Sequence, residues 1–134
     1  SNNPFILEVA PRNGGNFIPD LINQSFGVDL TMALLQWLVL GESPQFHPKK
    51  TPVIVSGYMI HSLKTGTMTQ EVEIELPKSI HRLKETVYVK SGDQVERFIS
   101  GNKALGNLIL SSGSTAVMRR FLENAQEKVV VHVQ

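Results

Sequence analysis

Apolar residues in the first part of the chain mark one strand and the start of one helix. Residues 5–10 form an apolar run with one charge near its end, which predicts a short buried strand. Residues 11–16 predict a loop, because they combine a proline, two asparagines and a glycine pair. Pro19 suits the first turn of the helix that follows, and Gly27 ends that helix.

A second helix is predicted at residues 30–40. Asp29 directly before it is a good N-cap residue, and Gly41 directly after it closes the helix. One helical face carries Leu30, Leu34, Trp37 and Leu38. The other positions are nearly as apolar, so we expect this helix to pack on more than one side and Trp37 to lie in a core.

Beyond this helix the pattern changes. Residues 42–52 contain three prolines and predict a linker or an exposed loop. Residues 53–62 and 67–76 predict two strands joined by a hairpin-like turn at Lys64-Thr65-Gly66. In the second of these strands, glutamates at 71, 73 and 75 alternate with apolar residues, so one face is expected to be wet and the other buried.

The remainder of the chain predicts short strands around one helix. Residues 86–90 predict a strand that ends at a Ser91-Gly92-Asp93 turn, and residues 108–110 and 129–133 predict two more. Ser114 is predicted to cap a helix whose apolar stripe is Met118, Phe121, Leu122 and Ala125. The pattern thus predicts an α+β fold in three segments: residues 1–41, a linker at 42–52, and a small, mostly antiparallel subdomain at 53–134.

Composition excludes several classes of function. The formal net charge is +1 and the basic residues form no stripe, so binding to nucleic acid or to an anionic membrane has no electrostatic support. The chain has no cysteine, which excludes disulfides and thiolate chemistry and suits a reducing cytoplasm. The apolar runs are too short to span a membrane. The four histidines are far apart and lack the spacing of metal ligands.

Residues 8–15 carry the most informative chemistry. Glu8 ends the predicted strand and offers the hard oxygen ligand that Mg²⁺ prefers. Arg12 offers a planar fork of donors that matches a phosphate or a carboxylate. Gly14 and Gly15 let the backbone approach a ligand closely. A metal and phosphate site is therefore predicted, against the plainer alternatives of a surface carboxylate and a tight turn without a ligand.

The chain resembles the C-terminal end of the ATP-grasp fold. In that superfamily a strand ends in Glu-x-Asn-Pro-Arg, and a glycine-containing loop, a helix and an Ile-Pro-Asp/Glu-Leu segment follow. This chain has Glu8-Val9-Ala10-Pro11-Arg12, then Ile18-Pro19-Asp20-Leu21, and then Gly27-Val28-Asp29-Leu30 where the family has Gly-Val-Asp-Leu. The likeness is greatest to carboxylate–amine ligases such as L-amino-acid ligases, and more distant to carbamoyl phosphate synthase and biotin carboxylase.

The resemblance implies a role for each matching residue. Glu8 would hold Mg²⁺ on the phosphates of ATP, Arg12 would contact the γ-phosphate or an acyl phosphate, and Gly14-Gly15 would shape the acceptor pocket. The chain departs from the family at Ala10, where the family often has a metal-binding asparagine. Either Asn13 or Asn16 would then supply the missing oxygen, and we favour Asn16 because the glycines let the loop fold back.

The same resemblance implies a function. The parent protein is expected to be an ATP-dependent ligase that activates a carboxylate as an acyl phosphate and joins it to an amine. This chain would be its C-terminal fragment, inert alone because it lacks the upstream ATP-binding elements. The alternative is a non-catalytic binding or oligomerisation module, which the alanine at position 10 favours. A severed unit should expose the strand at 5–10 and the helix at 30–40, and homodimer formation is one way to hide them.

Overall fold

The computed structural model describes residues 14, 15 and 17–134. The predicted strand at residues 5–10 lies outside the described residues. The described helices are α1 (Ile18–Phe26), α2 (Leu30–Leu40), α3 (Thr115–Glu123) and the one-turn α4 (Ala125–Lys128). The described strands are β1 (Ile54–Ile60), β2 (Gly66–Thr67), β3 (Glu73–Ile74), β4 (Ile80–Val87), β5 (Gln94–Val95), β6 (Gly106–Ser112) and β7 (Val129–Val130).

Helices α1 and α2 begin and end where the sequence predicts, because their caps are local. The first turn of α1 contains a proline, and Gly27 ends the helix with a φ of 72°. The Asp29 side chain accepts a hydrogen bond of 2.9 Å from the Met32 N–H at the start of α2. Gly41 closes α2 with a φ of 67° and donates to the Trp37 carbonyl at 3.0 Å.

A three-stranded antiparallel sheet, in the order β1-β6-β4, forms the centre of the fold. The middle strand β6 is almost wholly buried. The predicted strand at 108–110 is therefore confirmed and extends two residues further at each end. The edge strand β4 was predicted only at residues 86 and 87. Its residues 81–85 are exposed on both faces, and its register shifts at a bulge between Arg82 and Lys84.

The predicted hairpin around Lys64-Thr65-Gly66 is wrong. Strand β1 pairs with β6, whereas β2 pairs with β5 and β3 pairs with β7. Alternation in a sequence fixes which residues share a face, but it does not name the partner strand. The faces themselves are as predicted: the glutamates at 71, 73 and 75 are exposed, and the apolar residues between them are half-buried.

Helix α3 covers the sheet with the predicted apolar stripe. Its Met118 and Phe121 are buried, as is Ala125 just beyond it, and they join a core that includes Ile60, Leu108 and Leu110. Ser114 caps α3 by accepting from the Val117 N–H at 3.4 Å. A simple N-cap at this serine is therefore confirmed.

Helix α1 packs on β1 and ties the first helices to the sheet. The Ser25 hydroxyl donates to the Val53 carbonyl at 2.7 Å, and the Val53 N–H donates to the Ser25 carbonyl at 3.0 Å. Residues 42–52 form no helix or strand, and the division of the chain at this segment stays a prediction. Among the described residues, no helix has the length and apolar character that crossing a membrane requires.

Helix α2 is largely exposed, so its predicted packing on more than one side is wrong for this chain. Ala33 is the buried residue of α2, and α2 contacts α1. Trp37 is more than half exposed and is not part of the core. The exposure matches the other expectation, that a severed unit leaves this helix uncovered.

Candidate functional site

The glycine pair of the predicted site lies in an exposed loop directly before α1. The Gly15 carbonyl accepts a hydrogen bond of 3.2 Å from the Ile18 N–H, which joins the loop to the first turn of the helix. A Cβ added at Gly14 would lie 3.0 Å from Ile18 Cδ1, whereas one added at Gly15 would meet nothing within 4 Å. Among the described residues, nothing therefore crowds the backbone at Gly15.

The other candidate residues, Glu8, Arg12, Asn13 and Asn16, lie outside the described residues. Their predicted roles as metal ligands and phosphate contact stay predictions. A carboxylate such as that of Glu8 is the ligand type through which Mg²⁺ is usually bound, together with substrate phosphates.

A backbone outlier stands beside this loop. Phe17 adopts a left-handed conformation with φ 62° and ψ 17°, and among the described residues it is the one non-glycine residue with a positive φ. For a bulky residue this conformation costs about 1–2 kcal/mol. Residues held in such conformations cluster at functional sites, because the surrounding structure must supply the compensating free energy. The sequence gives no sign of it.

A lysine on the central sheet contacts the start of α1 beside this loop. The Lys84 ammonium on β4 lies 5.5 Å from the centroid of the Phe17 ring, and it also donates to the Asp20 carboxylate on α1 at 2.9 Å. Both partners of the ion pair are substantially exposed, so the pair itself contributes at most about 1 kcal/mol. Its main consequence is positional, since it holds the start of α1, and with it the glycine loop, over one edge of the sheet.

A cleft of about 340 Å³ opens beside Phe17. Met59 on β1 and Asn107 on β6 are paired across the sheet and line it together with Tyr88. The Asn107 amide donates to the Tyr88 hydroxyl at 2.9 Å, and Asn102 adds a second polar side chain to the wall. Sequence reasoning missed this cleft, and Asn107, directly before the apolar run of β6, was the one available signal.

Two of the four histidines make defined contacts, and among the described residues no group of three or more acidic residues or histidines could hold a metal ion. His61 is fixed by the Met59 carbonyl, 2.8 Å from its Nδ1, and by the Gln126 amide, 2.7 Å from its Nε2. The His132 Nε2 is buried without a hydrogen bond, 3.4 Å from a Glu73 carboxylate oxygen.

One tyrosine on β1 has an altered acidity. Burial raises the pKa of the Tyr58 phenol above its usual value of 10.0, because the charged phenolate is poorly solvated between the sheet and its neighbours. Tyr58 packs against the hydrophobic core.

Several solved structures share this fold, and two of them are ligases or synthetases. The chain matches phosphoribosylglycinamide synthetase from Anaerococcus prevotii with a TM-score of 0.69 and 18% identity, over 90% of this chain and 31% of the synthetase. It matches an L-amino acid ligase from Bacillus licheniformis with a TM-score of 0.71 and 19% identity, over 98% of this chain and 33% of the ligase. No family model matches the sequence, and no curated protein matches it either.

The synthetase and the L-amino acid ligase are both ATP-grasp ligases, so the resemblance to a C-terminal portion of the ATP-grasp fold is confirmed at the level of fold. The chain spans about a third of the length of each ligase. At these identities the likeness concerns the fold alone.

Proposed function

We propose that this chain is the C-terminal portion of an ATP-dependent ligase that activates a carboxylate as an acyl phosphate and joins it to an amine. The observation that carries the proposal is the fold match over almost the whole chain to two ATP-grasp ligases, one of them an L-amino acid ligase. The motif Glu8-Val9-Ala10-Pro11-Arg12 and the exposed Gly14-Gly15 loop support it, because they provide the residue types that a phosphate site needs.

In this proposal the chain supplies part of a nucleotide site. Glu8 would hold Mg²⁺, with Asn16 or Asn13 as a second ligand, and Arg12 would face the transferred phosphoryl group. Bound Mg·ATP would provide the phosphoryl group for the acyl phosphate. Positioning and charge neutralisation dominate such transfers, so an arginine and a carboxylate are residue types suited to the task.

The chain alone would be inert, because one carboxylate and one arginine do not make a complete nucleotide site. The proposal places the parent protein in the cytoplasm, which the lack of cysteine suits. The alternative, a non-catalytic binding or oligomerisation module, is favoured by one residue: Ala10 has no oxygen with which to replace a metal-binding asparagine.

Calorimetric titration with Mg·ATP tests the proposal. The titration compares this chain with the product of the full open reading frame and with two variants of that product, Glu8→Ala and Glu42→Ala. Glu42 is an exposed glutamate just after α2 and serves as the control. We expect binding by the long protein and by the Glu42→Ala variant only. Absence of binding by the long protein would overturn the proposal and favour the non-catalytic module.

A further inference from the structure

Helix α2 has the composition of an interior helix. Its eleven residues, LTMALLQWLVL, include no charged side chain. A helix on the surface of a globular protein normally carries one apolar stripe opposite a polar face, whereas a helix that is apolar all round is typical of an interior. From its sequence, α2 is therefore expected to pack against other parts of a protein on several sides.

The structure provides such packing on one side only. Ala33 is the buried residue of α2. The last turn is open, with exposed fractions of 56% for Trp37, 66% for Leu38, 75% for Val39 and 60% for Leu40. Consecutive residues of an α-helix point about 100° apart, so these four residues together cover its whole circumference.

Two simple occupants do not fit this geometry. Eleven residues make a helix of about 16 Å, about half of the 30 Å that a membrane core requires. A second copy of the chain, packed helix on helix, would cover one stripe of α2 and leave the opposite side in water. An occupant that satisfies all four residues must enclose the end of the helix.

We infer that α2 inserts into an apolar recess formed by the remainder of an ATP-grasp ligase, an inference that rests on the proposed function. The ligases that share this fold are about three times as long as the part that this chain covers, so they contain a body large enough to enclose a helix. The caps at Asp29 and Gly41 give α2 fixed ends, which suits a rigid docking element.

The docking would also position the candidate site. Helix α2 contacts α1, and the Gly14-Gly15 loop is hydrogen-bonded to the first turn of α1. Insertion of α2 thus carries the loop to a defined place against the remainder of the enzyme. The partner surface is expected to be apolar and free of charge opposite residues 37–40, because these side chains offer no partner for a buried charge.

Trp37 reports on this docking, because it is the single tryptophan of the chain. The experiment measures acrylamide quenching of its fluorescence in this chain and in the product of the full open reading frame, where subtraction of a Trp37→Phe variant isolates its signal. We expect red emission and ready quenching in the short chain at every concentration. In the long protein we expect blue-shifted emission and quenching several-fold weaker.

A pair of matched variants separates docking from general surface effects. Val39 and Ile99 are 75% and 78% exposed, and Ile99 lies far from α2 in the sequence. We expect Val39→Lys to lower the midpoint of thermal unfolding of the long protein by several degrees and Ile99→Lys to leave it unchanged. In the short chain both variants should unfold like the parent.

Three outcomes would overturn the inference, and they differ in whether the proposed function fails as well. Ready quenching of Trp37 in a long protein that binds Mg·ATP would overturn the docking and leave the proposed function standing. Protection of Trp37 in the short chain that grows with its concentration would assign α2 to a second copy. A long protein that does not bind Mg·ATP would remove the proposed function and the inference with it.

Discussion

At the scale of single residues, the backbone is constrained at Phe17 and at Gly66 by its surroundings. Phe17 holds a left-handed conformation next to the candidate loop. Gly66 has no room for a side chain, because an added Cβ would lie 2.2 Å from the Gln134 carbonyl oxygen. Neither constraint is visible in the sequence, since each arises from a segment that is distant along the chain or from the way the loop is held.

Gly66 gives the first prediction. Gly66→Ala would force the last residues of the chain away from β2, and the Thr67–Gln134 backbone hydrogen bonds at 2.9 and 3.1 Å would be disturbed. We expect a loss of about 1–3 kcal/mol in the free energy of unfolding, the usual cost of overpacking. Urea denaturation measures it. Gly113→Ala is the matched control, because its Cβ would meet nothing within 4 Å, and an equal loss there would contradict the explanation.

Tyr58 gives a prediction about pH. The pKa of its phenol is raised by burial in the folded state above the value of 10.0 that holds when the chain is unfolded. As the pH rises past 10, the unfolded state therefore releases the proton first, and the folded state loses stability relative to it. The contribution of the neutral Tyr58 phenol to the free energy of unfolding is fully present below pH 10.

Chemical denaturation between pH 8 and pH 11 checks this dependence. We expect Tyr58→Phe to remove part of the alkaline loss of stability and Tyr88→Phe to leave that loss in place. The same alkaline slope in the Tyr58→Phe variant and the parent chain would contradict the role assigned to burial of this phenol.

At the scale of elements, the sequence predicts well what is decided locally. The bounds of α1 and α2 follow from Pro19, Gly27, Asp29 and Gly41, which act on the turns beside them. The stripe of α3 follows from helical periodicity. Strand pairing depends on distant segments, so the hairpin at Lys64-Thr65-Gly66 was predicted wrongly although the buried and exposed faces were right.

In the candidate site, too, the features set by local sequence were predicted and those set by distant segments were not. The glycine loop stands directly before a helix, as the motif predicts, because that order is written in the sequence. The cleft beside Phe17 joins residues from β1, β6 and the segment after β4, and no local pattern brings them together. The exposure of α2 was not readable from its composition, because an apolar helix is expected to be buried. It was expected only from the interpretation of the chain as a severed unit.

Helix α3 gives a prediction at this scale. Phe121 is 5% exposed and packs in the core against the sheet. Phe121→Ala should destabilise the fold by about 3–5 kcal/mol, because it removes buried apolar surface and leaves a cavity. The neighbouring Arg120 is exposed, so Arg120→Ala should change the free energy of unfolding by less than about 0.5 kcal/mol. Comparable losses for the two variants would mean that α3 does not pack as described.

At the scale of the whole molecule, the parts agree on one interpretation. A small hydrophobic core lies around the β1-β6-β4 sheet, while most of α2 and the Gly14-Gly15 loop are exposed. The chain matches about a third of the length of two ATP-grasp ligases. It combines a buried core with one apolar helix, α2, that is largely exposed. The proposed ligase accounts for both features, because the remainder of the enzyme would cover α2.

The products of ATP turnover test this account most directly. The long gene product and this 134-residue chain are each incubated with Mg·ATP and a mixture of amino acids, and the nucleotides and new amide bonds are quantified. The account predicts that the long protein forms ADP and phosphate in step with amide bonds, as an acyl phosphate requires, and that this chain forms none. Formation of AMP and pyrophosphate by the long protein, or turnover by this chain alone, would contradict it.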